Sequence, residues 1–178
     1  MIEIVAYSPQ WAVEFEAEAL AIRGALGDRV VRIEHVGSTA VPGLAAKPVI
    51  DIQVSVVALQ PEEPYIAALA TLGYRFISLG DFDRVYPWFA KPGDWPSSHH
   101  VHLCVAGEAQ EASHLAFRDW LRADPGHAAE YEALKRQLAA RHAGDSLRSV
   151  ERYSLDKSSF VQRALADWAQ RGRGSQIG

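Results

Sequence analysis

Gly37-Ser38, Asp51 and the pair His100 and His102 have the types and spacing for phosphate and metal chemistry. Gly37-Ser38 follows an apolar run, Val30 to His35, and Asp51 sits inside the next one, Val49 to Val57. A glycine at a strand end lets backbone N–H groups come close to a phosphate, and a serine hydroxyl adds a donor. A carboxylate on the neighbouring strand supplies the hard oxygen that a phosphate-bound divalent cation requires. Side chains at i and i+2 of a strand share a face, so Asp51 and Gln53 project together. By the same rule His100 and His102 share one face of the run His99 to Ala106, while Val101 and Leu103 take the other. Two imidazoles so placed can ligate a transition metal, accept a proton or donate hydrogen bonds to a phosphate.

A second group is cationic or aromatic. Lys47 directly precedes Pro48 and the Asp51 run, Arg84 and Tyr86 lie in Arg84-Val85-Tyr86-Pro87-Trp88-Phe89, and Arg118 sits in a later helical stretch. Tyr153 and Lys157 are spaced to share a helix face. A triphosphate carries several negative charges, which such lysines and fork-shaped guanidinium groups complement. Tyr86 is a candidate to stack on a base, although aromatic strand residues mostly belong to cores. Arg75, Arg122 and Lys135 read as solvated surface charges, and Glu34 as a solvated strand end. The loop Lys91 to Ser98 is polar and turn-rich, as a lid beside the histidines would be.

The elements that must position these groups follow from periodicity. Ser8-Pro9 predicts a helix start, and Trp11, Phe15, Ala19, Ile22 and Leu26 repeat at helical steps up to Gly27. Strands are predicted over Val30–His35, Val49–Val57, Tyr74–Ser78, Arg84–Ala90 and His99–Ala106, with a helix from Pro61 to Leu72. Beyond Glu108 the period becomes helical, with helices predicted over Glu108–Arg122, Pro125–Arg141 and Val150–Trp168. Asp124-Pro125 is a cap followed by a first-turn proline. The fold class is α/β (α+β): a mixed sheet of about five strands with flanking helices and a C-terminal helical segment. One domain is expected over 1–170, with its sheet core at about 28–106, its helical part at about 108–169 and a disordered tail at 171–178.

Composition narrows the function classes. Hydrophobic residues make up 48% of 178, enough for a sizeable core. A formal net charge of −4 argues against a general nucleic-acid binder, which shows a basic patch or stripe. No apolar run approaches the roughly 18 residues of a membrane span, and the start, MIEIVAYSPQ, has no signal-peptide pattern. The single Cys104 has no internal disulfide partner and reads as a small buried strand residue. These features lead to the expectation of a soluble cytoplasmic protein.

The run GSTAVPGLAAKPVIDIQV (37–54), the segment His99-His100-Val101-His102 and the tail with Tyr153 and Lys157 together resemble the GrpB family. The similarity extends over roughly residues 5 to 169, nearly the whole chain. It implies the polymerase-β-like nucleotidyltransferase fold, in which strand acids hold two metals beside a triphosphate. Gln53 departs from that pattern, where a second acid is expected, and makes the bridging two-metal arrangement doubtful. The resemblance places His102 or His100 near Asp51, where a third acid would stand, and puts Arg84 and Lys157 on motif positions.

The implied activity is transfer of a nucleotidyl group from ATP or another nucleoside triphosphate to a small-molecule acceptor. Asp51, His100 and His102 are its catalytic candidates. Gly37, Ser38, Lys47, Arg84, Tyr86, Arg118, Tyr153 and Lys157 are its nucleotide-binding candidates. Asp51, Gln53 and His102 would hold Mg²⁺, Mn²⁺ or Zn²⁺. An amide-forming ligase acting through an adenylated carboxylate, or a nucleotide or metabolite binder with a degenerate metal site, uses the same residues. A third reading is an interaction module paired with a coenzyme-A-pathway kinase, because GrpB-like domains resemble segments fused to such enzymes. Beyond substrates, a second copy of the chain is a candidate partner; a membrane or nucleic acid is not.

Overall fold

The structure, a computed structural model, describes residues 3–78, 80, 83, 86–94, 96–142, 152–153 and 155–174. Helix α1 (Gln10–Leu26) is followed by strands β1 (Val30–Val36) and β2 (Ile50–Val56), helix α2 (Glu63–Ala70), and strands β3 (Arg75–Ile77), β4 (Trp88–Lys91) and β5 (His99–Val105). Helices α3 (Ala109–Ala123), α4 (Pro125–Arg141) and α5 (Ser158–Gly174) close the chain.

The strands form one five-stranded sheet in the order β1-β2-β5-β4-β3. β2 and β5 run parallel and the other pairs antiparallel, which is the mixed sheet expected. β2 is almost continuously buried, as a strand covered on both sides is, while β5 buries Val101, Leu103 and Cys104 and leaves its histidines half-buried. Alternation then assigns the faces. Ile50, Ile52, Val54 and Val56 of β2, with Val101 and Leu103 of β5, join Trp11, Ile22 and Leu26 of α1 and Tyr65 and Leu69 of α2 in one core. Burying each such side chain contributes about 1.5–3 kcal/mol. Asp51, Gln53 and Ser55 point to the opposite face. They stand in register with His100, His102 and Cys104, so polar groups form a ladder across the parallel pair. Helix α3 packs on this second side and touches β1, β2 and β5.

Helices α3, α4 and α5 build a second cluster around Trp120, Leu121, Tyr131, Phe160 and Ala164. Val41 and Leu44, in the connection between β1 and β2, belong to it as well, so the helical part grips the loop that follows Gly37-Ser38. The start of α4 is as predicted: the Asp124 side chain accepts a hydrogen bond from Gly126 N at 2.7 Å, with Pro125 in the first turn.

Three boundaries differ from expectation. Among the described residues β4 spans Trp88–Lys91, shorter than the predicted run from Arg84: the Pro87 carbonyl still accepts from Leu103 N of β5 at 3.0 Å, but proline has no N–H to extend the pairing. Helix α2 is confined to Glu63–Ala70 and ends in a turn at Gly73, whose φ of 86° no side chain favours. Helix α5 runs past Trp168 to Gly174, so residues 171–174, predicted as tail, continue it; 175–178 lie outside the described residues. Cys104 is buried as expected, with its thiol facing the Ser55 hydroxyl at 3.7 Å. No helix among the described residues is long and apolar enough to cross a membrane.

Candidate functional site

The Gly-Ser turn is built by the end of β1. Gly37 adopts φ 70°, and a Cβ there would lie 2.4 Å from Asp51 Oδ2. Only glycine lets the turn press against that carboxylate. Behind the turn, His35 stacks on Phe15 with ring centroids 4.7 Å apart. Thr39 Oγ1 donates to Val49 O at 3.1 Å, so His35 Nε2, 3.0 Å from the same hydroxyl, must carry the proton it donates. Burial pushes the His35 pKa down to about 4, against the pull of Asp51 and aided by Arg122 and Arg118. Arg122 donates twice to Ala40 O, at 3.0 and 2.6 Å.

Asp51 Oδ1 is the meeting point of the two imidazoles. His100 Nδ1 lies 3.2 Å from it and His102 Nε2 3.3 Å. The three ligand atoms fall within 4.8 Å of one another. Burial acts to raise the Asp51 pKa, but hydrogen bonds and charge from His100 and His102 hold it well below the usual carboxylate range. An ionised oxygen and two ring nitrogens converging on one point fit a divalent cation of intermediate softness.

Around the imidazoles lies a buttress. Trp88 meets His100 edge-on at 5.0 Å. The Tyr86 hydroxyl is 2.8 Å from His102 Nδ1 and 2.8 Å from His114 Nε2. His114 Nδ1 in turn is 2.9 Å from Gln53 Oε1. Burial, with His102 adding to it and Asp51 opposing, pushes the His114 pKa down to about 4.

On the other side of Asp51 is a basic pocket lined by tyrosines. Lys157 Nζ sits 4.4 Å from the Tyr153 ring centroid and Lys47 Nζ 5.3 Å from it. Lys135 donates to Ala45 O and lies 4.9 Å from the Tyr131 ring, and Tyr131 hydrogen-bonds Ser38. Burial and the charge of Lys47 lower the Lys157 pKa to about 8, while Asp51 opposes. Burial and Lys157 lower that of Lys135 to about 7. Lysines crowded out of water and repelling one another call for an anion.

The structure thus brings together Gly37, Ser38, Lys47, Asp51, His100, His102, Tyr153 and Lys157. Arg84 lies outside the described residues. Three further candidates are held by other contacts. Arg118 is committed elsewhere: it donates to Glu34 Oε2 and Asp119 Oδ1 at 2.8 Å and to His35 O at 3.1 Å, bracing the end of β1 and giving Glu34 a partner. Tyr86 spends its hydroxyl on two imidazoles and supports the histidines rather than a base. Gln53 is wholly buried, with its side-chain oxygen 2.9 Å from His114 Nδ1, behind the Asp51, His100 and His102 group. The expected lid is tied down, with Arg75 bonding Gly93 O and Asp94, and Ser98 bonding Lys91 O.

Sequence reasoning missed His114, Tyr131 and Lys135. Each stands in a helical stripe, His114 with Phe117 and Leu121, and Lys135 with Tyr131 and Leu138. A lysine inside an apolar stripe is the signal that could have found Lys135, which is 2% exposed rather than on the surface.

Comparison with known proteins now adds to this geometry. The GrpB protein family matches residues 1–167. The chain is 36% identical to a UPF0157 protein of Halalkalibacterium halodurans over 92% of its own length and 80% of that protein. It is 32% identical to a UPF0157 protein of Bacillus subtilis, spanning 92% of the chain but only 46% of that relative. A dephospho-CoA kinase of Mycolicibacterium paratuberculosis is 30% identical over 94% of the chain and 47% of its own length. The crystal structure of the conserved protein GrpB from Enterococcus faecalis superposes with TM-score 0.81 and 34% identity, covering 95% of this chain and 98% of that one. A cytoplasmic RNA terminal U-transferase superposes with TM-score 0.52 at 16% identity, covering 80% of this chain and 44% of that one, which shows a shared fold.

Proposed function

The chain belongs to the GrpB family, and from that footing we propose that it transfers a nucleotidyl group from a nucleoside triphosphate to a small-molecule acceptor with a divalent cation. One observation carries the reading: the converging ligand atoms of Asp51, His100 and His102 adjoin a turn pressed against Asp51 and two half-buried lysines, Lys47 and Lys157, whose charges Asp51 offsets. A cation alone would need only the first, and a phosphate alone only the second.

In this reading the Gly37-Ser38 turn and Lys47 and Lys157 bind the phosphates, and Lys135 holds the Ala45 carbonyl and thereby the loop. Asp51, His100 and His102 would hold the cation, which when bound neutralises phosphate charge and polarises the α-phosphoryl group. An acceptor oxygen forms a bond to the α-phosphorus, the bond to the β-phosphate breaks, and pyrophosphate leaves against the lysines. The acceptor's proton passes to water, because a neutral His100 that turns its bare Nδ1 to the cation beside Asp51 already carries its one proton on Nε2. A pocket of this charge orients the leaving group before any chemistry occurs.

The decisive test is pyrophosphate release from ATP, and then from the other nucleoside triphosphates, with panels of hydroxyl, amine and carboxylate acceptors, in Mn²⁺, Mg²⁺ and Zn²⁺. Turnover greater with Mn²⁺ than with Mg²⁺, abolished in Asp51→Ala and His102→Ala, is expected. Tight binding of nucleotide by calorimetry with no turnover for any acceptor would favour the second reading, a nucleotide binder. Gln53, buried where a second acid would stand, is the observation on its side.

A further inference from the structure

The buttress behind the metal cluster has a property of its own. Four contacts join end to end: Gln53 to His114 Nδ1 at 2.9 Å, His114 Nε2 to Tyr86 at 2.8 Å, Tyr86 to His102 Nδ1 at 2.8 Å, and His102 Nε2 to Asp51 at 3.3 Å. Each of the three inner members, when neutral, has one proton for two bonds. With the buried Tyr86 hydroxyl proton spent inside the relay, just two directions are consistent. In one, the Gln53 amide nitrogen donates to His114, His114 to Tyr86, Tyr86 to His102, and His102 Nε2–H to Asp51. In the other, His114 Nδ1–H donates to the Gln53 oxygen, Tyr86 O–H donates to His114 Nε2, and His102 Nδ1–H donates to the Tyr86 oxygen. His102 Nε2 then points a bare lone pair at the Asp51 carboxylate.

The structure holds Gln53 in the second orientation. Its oxygen faces His114, and its amide nitrogen is buried with no hydrogen-bond partner among the described residues. That direction gives up the His102 hydrogen bond to Asp51 that the first one makes, and the bare lone pair repels the carboxylate oxygen unless a cation stands between them. The proton count is the same in both directions, so reversal needs one amide rotation, one hydroxyl rotation and two tautomer exchanges, with no proton gained or lost. We infer that Gln53, His114 and Tyr86 are positioning residues that set the tautomer of His102 through this relay, and that a cation entering beside Asp51 and the rotation of the Gln53 amide drive one another. The position where the fold would carry a second acid thus serves the metal from behind, through three intermediates. This rests on the metal site proposed above. Partners that fix a ligating histidine's tautomer typically affect metal affinity 10- to 100-fold.

The test uses Zn²⁺ alone as probe, with calorimetry and long-range proton–nitrogen correlation spectra of the full chain labelled at histidine nitrogens. On Zn²⁺ addition His102 and His114 should both show Nδ1–H. Tyr86→Phe should weaken Zn²⁺ binding by about 10- to 100-fold and leave the His114 tautomer indifferent to the metal. Gln53→Glu, an acceptor only, should show Nδ1–H at both histidines before any metal is added, which a merely structural role for position 53 would not produce. Wild-type Zn²⁺ affinity in Tyr86→Phe, or an Nε2–H at His102 in the wild-type Zn²⁺ complex, would overturn the relay while leaving the metal site standing. Failure of the folded wild-type chain to bind Zn²⁺, Mn²⁺ or Mg²⁺ would remove both.

Discussion

At the scale of single residues, the tightest demand falls on Gly37. Its backbone lies in the left-handed region, and the space a Cβ would need is filled by Asp51 Oδ2 at 2.4 Å. The substitution Gly37→Ala should therefore displace the carboxylate without disturbing a core side chain. The expected outcome is a loss of Mn²⁺ and pyrophosphate affinity of about tenfold or more, at about 1.4 kcal/mol per factor of ten, with an unchanged far-ultraviolet circular dichroism spectrum. Calorimetric titration of each ligand checks it. The contrast with Arg118 is instructive. Both residues lie near the turn, but the guanidinium is saturated by Glu34, Asp119 and a backbone carbonyl, so its charge is already spent. Charge type in a sequence marks a candidate for phosphate binding; the partner that neutralises it comes from another element and cannot be read locally.

At the scale of elements, β1 and the turn after it depend on a neutral buried histidine. His35 has a folded pKa of about 4 against an ordinary value of 6.5. Between those values the unfolded chain binds more protons than the folded one, so stability falls as pH drops through that window, by up to about 3 kcal/mol for this group. Urea unfolding at pH 7 and at pH 4.5 should show the loss, and His35→Gln should reduce it, leaving the part that belongs to His114, whose pKa burial also lowers to about 4. Periodicity made the elements themselves legible: alternation put Asp51 with Gln53 and His100 with His102, the family resemblance set the two pairs side by side, and the stripes of α3 and α4 marked their buried sides. It failed where local pattern and tertiary contact disagree. Among the described residues of the run predicted over Arg84–Ala90, the strand begins at Trp88, after a proline that offers β5 only its carbonyl, and Tyr86 is engaged by two histidines, one of them from a helix distant in sequence. Lys135 was hidden for a related reason: its partner is the Ala45 carbonyl, contributed by a loop ahead of β2.

At the scale of the molecule, two clusters of side chains meet at one connection. Leu44 is 1% exposed and packs with the helical cluster, while the loop carrying it joins the two strands that shape the Asp51 side of the site. Leu44→Ala should cost about 2–5 kcal/mol, as cavities in well-packed cores do. It should also lower pyrophosphate affinity although it touches no ligand. Denaturant unfolding followed by tryptophan fluorescence and by circular dichroism should still give coincident transitions, because the helices and the sheet share that loop.

The parallel pairing of β2 with β5 carries a last consequence. Asp51 sits opposite His100 and Gln53 opposite His102, while Ile52 and Val101 between them line the other side. Inserting or deleting one amino acid within either strand would turn imidazoles and carboxylate into the oily interior and push isoleucine and valine out toward the lysines. Such a change would abolish folding before it altered chemistry. Adapting this scaffold to a new acceptor is therefore left to the helices and loops facing the ladder, and the rungs themselves admit replacement only in place.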